Sequence, residues 1–272
     1  MKHTLLAALL LAAPFPAMAE TLDDLKAQGF ARIAIANEPP FTAVAADGTV
    51  SGAAPDVARE VFKRLGVPEV VASISEYGAM IPGLQARRHD AITAGLFMKP
   101  ERCTAVAYSE PVLCDAEAFL LPKGNPKGFK SYADIAADPQ ARIGAPGGGT
   151  EEKLALEAGV PRDRVIVVPD GQSGVKMLQD GRIDVYSLPV LSISDLMTKA
   201  ADPNLEMVAP VVGAPVYCDG AAFRKEDTAL RDAFDAELAK MKESGEFAAI
   251  IEPYGFSAAA AISTSRAALC GE

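Results

Sequence analysis

The sequence predicts an α/β protein of two lobes, each a mostly parallel sheet with helices on its faces, joined by a two-strand hinge. Three observations carry that expectation. Short apolar runs alternate with segments of helical period, the signature of parallel strands linked by crossover helices. One joint occurs twice, as Leu84-Gln85-Ala86-Arg87-Arg88-His89-Asp90 and as Leu178-Gln179-Asp180-Gly181-Arg182-Ile183-Asp184. The shared Leu-Gln-x-x-Arg-x-Asp, once in each half, points to two lobes built alike. Two further apolar stretches, residues 116–121 and 216–223, read as crossings from one lobe to the other and back.

In chain order, residues 1–19 read as a secretory leader. Lys2 gives the positive start, Leu5 to Ala13 the apolar run, and Ala17-Met18-Ala19 the small-x-small cleavage site. That run is too short to span a bilayer, and no other stretch of about 18 apolar residues follows. The mature chain is therefore expected to be soluble. Strands are predicted at residues 32–36, 70–74 and 91–94, with helices at 55–65 and 79–88 between them. Gly66 stops the first helix after its apolar face of Val57, Val61, Phe62 and Leu65. The second half repeats the pattern. Strands at 142–145, 165–168 and 184–187 alternate with helices at 151–158, 171–180 and 190–200. Helices at 227–243 and 247–254 return to the first lobe. The resulting division is residues 20–115 with 219–272 for the first lobe and 116–218 for the second.

The whole chain carries a formal net charge of −10, with 26 basic and 36 acidic side chains. Such a surface argues against nucleic acid or anionic lipid as a partner. The four cysteines all lie beyond the leader, where an exported chain meets oxidising conditions. Three pairings are open to four cysteines. The two crossings place Cys114 and Cys218 at the same end of adjacent hinge strands, which favours that pair and leaves Cys103 with Cys270. With no Cys-x-x-Cys and His89 the one histidine past the leader, neither a zinc site nor a histidine–nucleophile pair is expected. No cofactor is expected either.

Ligands of open α/β sheets sit beyond the carboxyl ends of the strands, so two facing lobes create a cleft. Four segments converge there: Glu38 to Phe41 after the first strand, Tyr77 after the second, Gly95 to Arg102 after the third, and Gly147 to Glu151 in the second lobe. Arg102 offers a planar fork for a carboxylate; its alternative is a surface ion pair with Glu101 or Glu110. Phe41, Tyr77 and Phe97 offer faces to a cation, or else pack in loops and core. Phe97 is expected on a turn with little core to join. The glycine run lacks a phosphate-loop Gly-Lys-Ser/Thr ending, yet its bare amides make an anion seat. Thr150 adds a hydroxyl there or caps the helix, and Glu151 either faces the cleft or is a solvated helix-start charge.

The order Pro40-Phe41, Asp90-Ala91-Ile92, Pro100-Glu101-Arg102, Tyr108-Ser109-Glu110-Pro111 and Gly-x-x-x-Gly-x-Thr-Glu resembles the polar amino-acid family of periplasmic solute-binding proteins, which serve ABC importers. The resemblance covers residues 20–256 and implies the type II periplasmic-binding-protein fold, a periplasmic monomer, and a membrane permease as partner. It also implies that Arg102 grips a ligand carboxylate, helped by amides near Gly95 and by Thr150, while Tyr77 stacks on the ligand. Two positions depart from the family. Phe97 stands where a serine or threonine is usual, and Pro189 where an aspartate holds the α-ammonium. A primary ammonium left without those acceptors would be costly to bury. An aromatic box of Phe41, Tyr77 and Phe97, with Glu38 and Glu151 as acceptors, suits a delocalised cation instead. Within the family the chain resembles the ectoine- and hydroxyectoine-binding members through residues 34–41, 75–102 and 144–159. A betaine is the alternative, disfavoured by the absence of tryptophan, as is a polar amino acid. A dehydratase of the same fold, with Glu38 or Glu151 as acid or base, is a further one.

Overall fold

The computed structural model describes residues 22–271; the leader read in residues 1–19 lies outside them. Two five-stranded sheets form two lobes. In the first, the strand order is Glu69–Ile74, Phe30–Ile35, Ala91–Ile92, Ala222–Arg224, Val106–Tyr108. In the second it is Val165–Val168, Ile143–Pro146, Val185–Pro189, Glu117–Pro122, Leu205–Val208. Each sheet has three parallel strands followed by one that runs antiparallel to both of its neighbours. The interior strand Phe30–Ile35 buries Ala31, Ile33, Ala34 and Ile35, the near-continuous apolar run of a strand covered on both faces.

The duplicated joint has a physical meaning. In the first lobe the Asp90 amide donates to Arg32 O (2.8 Å), and the Asp90 carboxylate accepts from the Arg32 amide (2.7 Å). In the second, the Asp184 amide donates to Arg142 O (2.8 Å), and its carboxylate accepts from the Arg142 amide (2.8 Å). Each aspartate thus ties the start of its strand to the neighbouring parallel strand. The residue three places before each aspartate, Arg87 or Gly181, has positive φ (58° and 66°) and turns the chain out of its helix.

Helix Ala53–Arg64 packs Val57, Val61 and Phe62 into the first lobe. The returning helix Thr228–Ser244 meets it through Phe234, whose ring lies 5.7 Å from Phe62 and 5.5 Å from Phe223. The hinge is the two-stranded pair Cys114–Asp115 and Tyr217–Cys218, with Cys114 opposite Cys218. Disulfides join Cys114 to Cys218 and Cys103 to Cys270. The second bond fastens the short tail helices Ala258–Ile262 and Arg266–Cys270 to the first lobe.

Some boundaries differ from expectation. The helix predicted at 79–88 spans Tyr77–Gln85, so Tyr77 is its first residue. The crossing at 216–223 splits into hinge residues Tyr217–Cys218 and sheet residues Ala222–Arg224.

Candidate functional site

The cleft between the lobes holds a cavity of about 260 Å3 lined by Glu38, Phe41, Tyr77, Gly95, Phe97, Arg102, Gly149, Thr150, Glu151 and Pro189. All eight positions singled out in the sequence meet there. The lobes are closed upon one another. Gly78 donates its amide to Gly147 O (3.2 Å), and a Cβ on Gly148 would lie 2.5 Å from Gly78 Cα. Gly148 also has φ +73°, a conformation side chains resist. The glycine run therefore serves close approach of two backbones.

Arg102 projects from helix Pro100–Ala105. Its Nη1 donates to Phe97 O (2.8 Å) and its Nη2 to Gly148 O (2.9 Å), so the guanidinium spans the lobes. The alternative of an ion pair with Glu101 or Glu110 fails, because those acids pair with Lys153 and Arg266. Of the five N–H groups of an arginine, three remain for a ligand.

The rings come from one lobe and its hinge. Phe41 packs edge-on against Phe97 (5.9 Å) and Phe256 (4.7 Å). Gly95 makes room for it, since a Cβ there would approach Phe41 Cδ1 to 2.8 Å. Phe97 joins the core after all. It is 3% exposed and stacks on Tyr217 at 5.6 Å and 18°. Tyr217 in turn carries the Lys99 ammonium 5.0 Å from its ring centre. The hydroxyl of Tyr77 donates to Ala94 O (3.0 Å) and reaches Glu38 Oε2 at 3.4 Å.

The acidic groups are placed by the second lobe as much as by the first. Glu38 follows the first strand, and Ser192 from the opposite lobe donates to its Oε1 at 2.7 Å. Burial, then the neighbouring Glu151 charge, pushes the Glu38 carboxyl up to about 8. Glu151 is 4% exposed, so it is not a solvated helix-start charge. The nearby amides of Glu151 itself and of Thr150 act to lower its carboxyl. Glu152 accepts from the Gly148 amide (2.5 Å). The anion seat expected at this helix start is thus filled by the helix's own acids, and Thr150 is its first residue rather than its cap. Burial still outweighs those donors and Arg102, raising the Glu151 carboxyl to about 6.

Sequence reasoning missed four contributors. Ser192, Tyr217 and Lys99 carry no local pattern that marks them. Glu117 opens a strand, lies opposite Pro189 in register, and is 1% exposed. Neither of its carboxylate oxygens has a hydrogen-bond partner among the described residues. Burial first, then the charges of Glu151 and Glu38, hold its carboxyl well above the ordinary range. Two of the buried acids, Glu38 and Glu151, line the cavity together with Arg102. Among the described residues no group of three or more His, Cys, Asp or Glu side chains could hold a metal ion.

Comparison with known proteins accords with this geometry. Residues 31–257 match the model of the bacterial extracellular solute-binding proteins, family 3. A probable amino-acid ABC transporter periplasmic-binding protein of Sinorhizobium fredii is 35% identical over 244 residues, 88% of this chain and 81% of that one. The crystal structure of EhuB in complex with hydroxyectoine superposes with a TM-score of 0.91 at 84% identity, covering 92% of this chain and 97% of that one. A mutant of the arginine-binding protein ArgBP from T. maritima gives a TM-score of 0.76 at 26% identity, covering 86% and 98%. With nearly its whole length matched, the chain belongs to the bacterial extracellular solute-binding proteins, family 3.

Proposed function

We propose that this protein captures ectoine and hydroxyectoine in the periplasm and delivers them to the permease of an ABC importer. The observation that carries the reading is the convergence of Arg102, three aromatic rings and two buried carboxyls on one cavity. The 84% identity to EhuB, a structure holding hydroxyectoine, supports it. The ligand carboxylate takes the free N–H groups of Arg102. The amidinium lies among Phe41, Tyr77 and Phe97, each face contributing roughly 0.5–2 kcal/mol once water is excluded. Its in-plane N–H groups donate to Glu38 and Glu151, and Glu38 also meets the hydroxyl of hydroxyectoine. Thr150 and the Gly95 region complete the carboxylate end.

The same reading assigns residues 1–19 to a cleaved leader, 20–115 with 219–272 to one lobe, and 116–218 to the other. The protein works as a monomer that binds without chemistry, the closed lobes presenting a joint surface to the permease. Calorimetry on the mature protein tests this. Ectoine and hydroxyectoine should bind with micromolar or tighter affinity, and histidine, arginine, glutamine and glycine betaine far more weakly. Equal or better binding of those competitors overturns the ligand assignment. Turnover of a cyclic carboxylate such as prephenate or arogenate would overturn the reading as a pure receptor.

A further inference from the structure

The first lobe holds a separate cavity of about 620 Å3 that shares no residue with the ligand site. Its wall is assembled from helix Pro100–Ala105 and strand Val106–Tyr108, the loop after strand Ala222–Arg224, the first turn of helix Thr228–Ser244, and the tail helix Arg266–Cys270. Three cationic side chains line it, Lys225, Arg231 and Arg266, and among the described residues no acidic one does.

These cations are held in place by backbone oxygens. Lys225 Nζ donates to Cys103 O (2.7 Å). The Nη1 atoms of Arg231 and Arg266 both donate to Tyr108 O, at 3.2 and 2.9 Å, which sets two like charges side by side. Asp235 accepts from Arg266 Nη1 at 2.9 Å and lies 3.8 Å from Arg231 Nε, so one inner carboxylate serves two guanidinium groups. Asp232 accepts from Arg231 Nε at 2.6 Å, and Glu110 approaches Arg266 Nη2 only to 3.6 Å. The side chains of both are exposed, at 65% and 39%, and an acid in water offsets a neighbouring charge weakly.

The helix start adds to this field. Thr228–Ser244 runs for 17 residues, its first turn carries no acid, and Asp227 makes no side-chain cap. The Asp227 carboxylate pairs with Arg224 instead, at 2.6 Å. In the second lobe, by contrast, the helix at Thr150 begins with Glu151 and Glu152, and Glu152 accepts from the Gly148 amide. A chain of net charge −10 thus gathers positive charge in one recess, which suits a small mobile anion better than an extended anionic surface.

We propose that this recess is an anion site, taking a small doubly charged oxyanion of the size of phosphate or sulfate. Lys225, Arg231 and Arg266 supply charge-assisted donors, and Thr228 adds its hydroxyl at the positive end of the helix. The ion joins Arg266 of the tail helix to Arg231 and Lys225, fastening the tail a second time beside the Cys103–Cys270 disulfide. This holds whatever ligand fills the cleft, because every contributing residue belongs to the first lobe.

The test is calorimetry and thermal melting of the mature, disulfide-bonded protein in sodium phosphate or sodium sulfate, against sodium chloride at matched ionic strength. Phosphate is expected to bind with a dissociation constant of about 1 mM or less and to raise the melting temperature by about 2–4 °C near saturation. Lys225→Gln removes an exposed cation of the site. Thr228→Glu places one of the protein's own carboxylates at the helix start, where it favours the helix. Each variant should bind phosphate at least about fivefold more weakly, melt in chloride within about 2 °C of the wild-type protein, and bind the cleft ligand within about twofold of it. Phosphate and sulfate that do no more than chloride at equal ionic strength overturn the site. Phosphate bound equally by the wild-type protein and both variants also overturns it, because the ion then sits elsewhere.

Discussion

Arg102 is the residue whose removal gives the sharpest outcome. Its guanidinium already spends two N–H groups on Phe97 O and Gly148 O, at 2.8 and 2.9 Å. A bound carboxylate adds two charge-assisted bonds, each worth about 1.5–3 kcal/mol. Arg102→Ala deletes those and the bridge to Gly148 that helps hold the lobes together. Arg102 is only partly buried, so water replaces part of the loss, and about 3–4 kcal/mol is the reasonable sum. At 1.4 kcal/mol per tenfold this is a drop in ectoine affinity of about a hundredfold to a thousandfold. Calorimetry measures it, and thermal melting of the ligand-free variant shows that the fold persists. Arg102→Lys restores the charge but not the planar fork, so it should recover only a small part of the affinity. An Arg102→Ala variant that melts normally and binds ectoine within tenfold of wild type would refute the carboxylate assignment.

Three further outcomes are expected. Gly148→Ala places a Cβ 2.5 Å from Gly78 Cα, so ligand-dependent compaction seen by small-angle scattering should vanish and affinity fall at least tenfold. Phe97→Ser should weaken ectoine about threefold to thirtyfold through the lost ring face. It should also lower the melting temperature, since a ring packed between the edge-on Phe41 and the stacked Tyr217 leaves a hole worth about 3–5 kcal/mol; unchanged binding would reduce Phe97 to a packing residue. Ligand-free stability should fall with rising pH. Burial raises the carboxyls of Glu38, Asp219 and Glu151 to about 8, 7 and 6, so the folded chain binds these protons more tightly than the unfolded one. Their stabilisation is complete below the ordinary carboxylate range and is lost progressively between about pH 4 and pH 8. A melting temperature that climbs over that interval would contradict it.

The site was legible where a residue type and its place after a strand or at a helix start together limited the options. Arg102 sits beyond a strand with Phe97 five residues earlier, and both face the cleft. The glycine run was visible, but its purpose was not. Bare amides at a helix start read as an anion seat until the structure put the Glu152 carboxylate onto the Gly148 amide, and the short distance from Gly148 to Gly78 exists only when the lobes meet. Phe97 was misread as a ring without a core because its stacking partner, Tyr217, arrives through the hinge more than a hundred residues later. Glu117 and Ser192 belong to the same class: their importance comes from what lies opposite them. The strand Leu205–Val208, which buries Leu205 and leaves its other residues half-exposed, gives no alternation strong enough to announce itself. The tail helices of five residues each gain their stability from Cys270 and from Phe256 packed on Phe41, which no local propensity records.

The cavity divides the two demands of a delocalised cation between two kinds of group. An amidinium has flat faces, which need polarisable surface, and in-plane N–H groups, which need acceptors. In the proposed binding mode Phe41, Tyr77 and Phe97, which line the cavity, meet the first demand, and Glu38 and Glu151 meet the second. A primary ammonium concentrates its charge and three donors at one atom, and Phe97 and Pro189 supply no side-chain acceptor for it. Rings alone would hold the cation weakly and without orientation. Carboxyls alone would admit any small amine. Burial raises the carboxyls of Glu38 and Glu151, so their charged forms are disfavoured until a cation arrives. In that reading a ligand with a matching cation favours the charged carboxylates, and one without it leaves two buried acids with no cation beside them. Selectivity then lies in the shape of the ligand's cation, with Arg102 fixing which way round it enters.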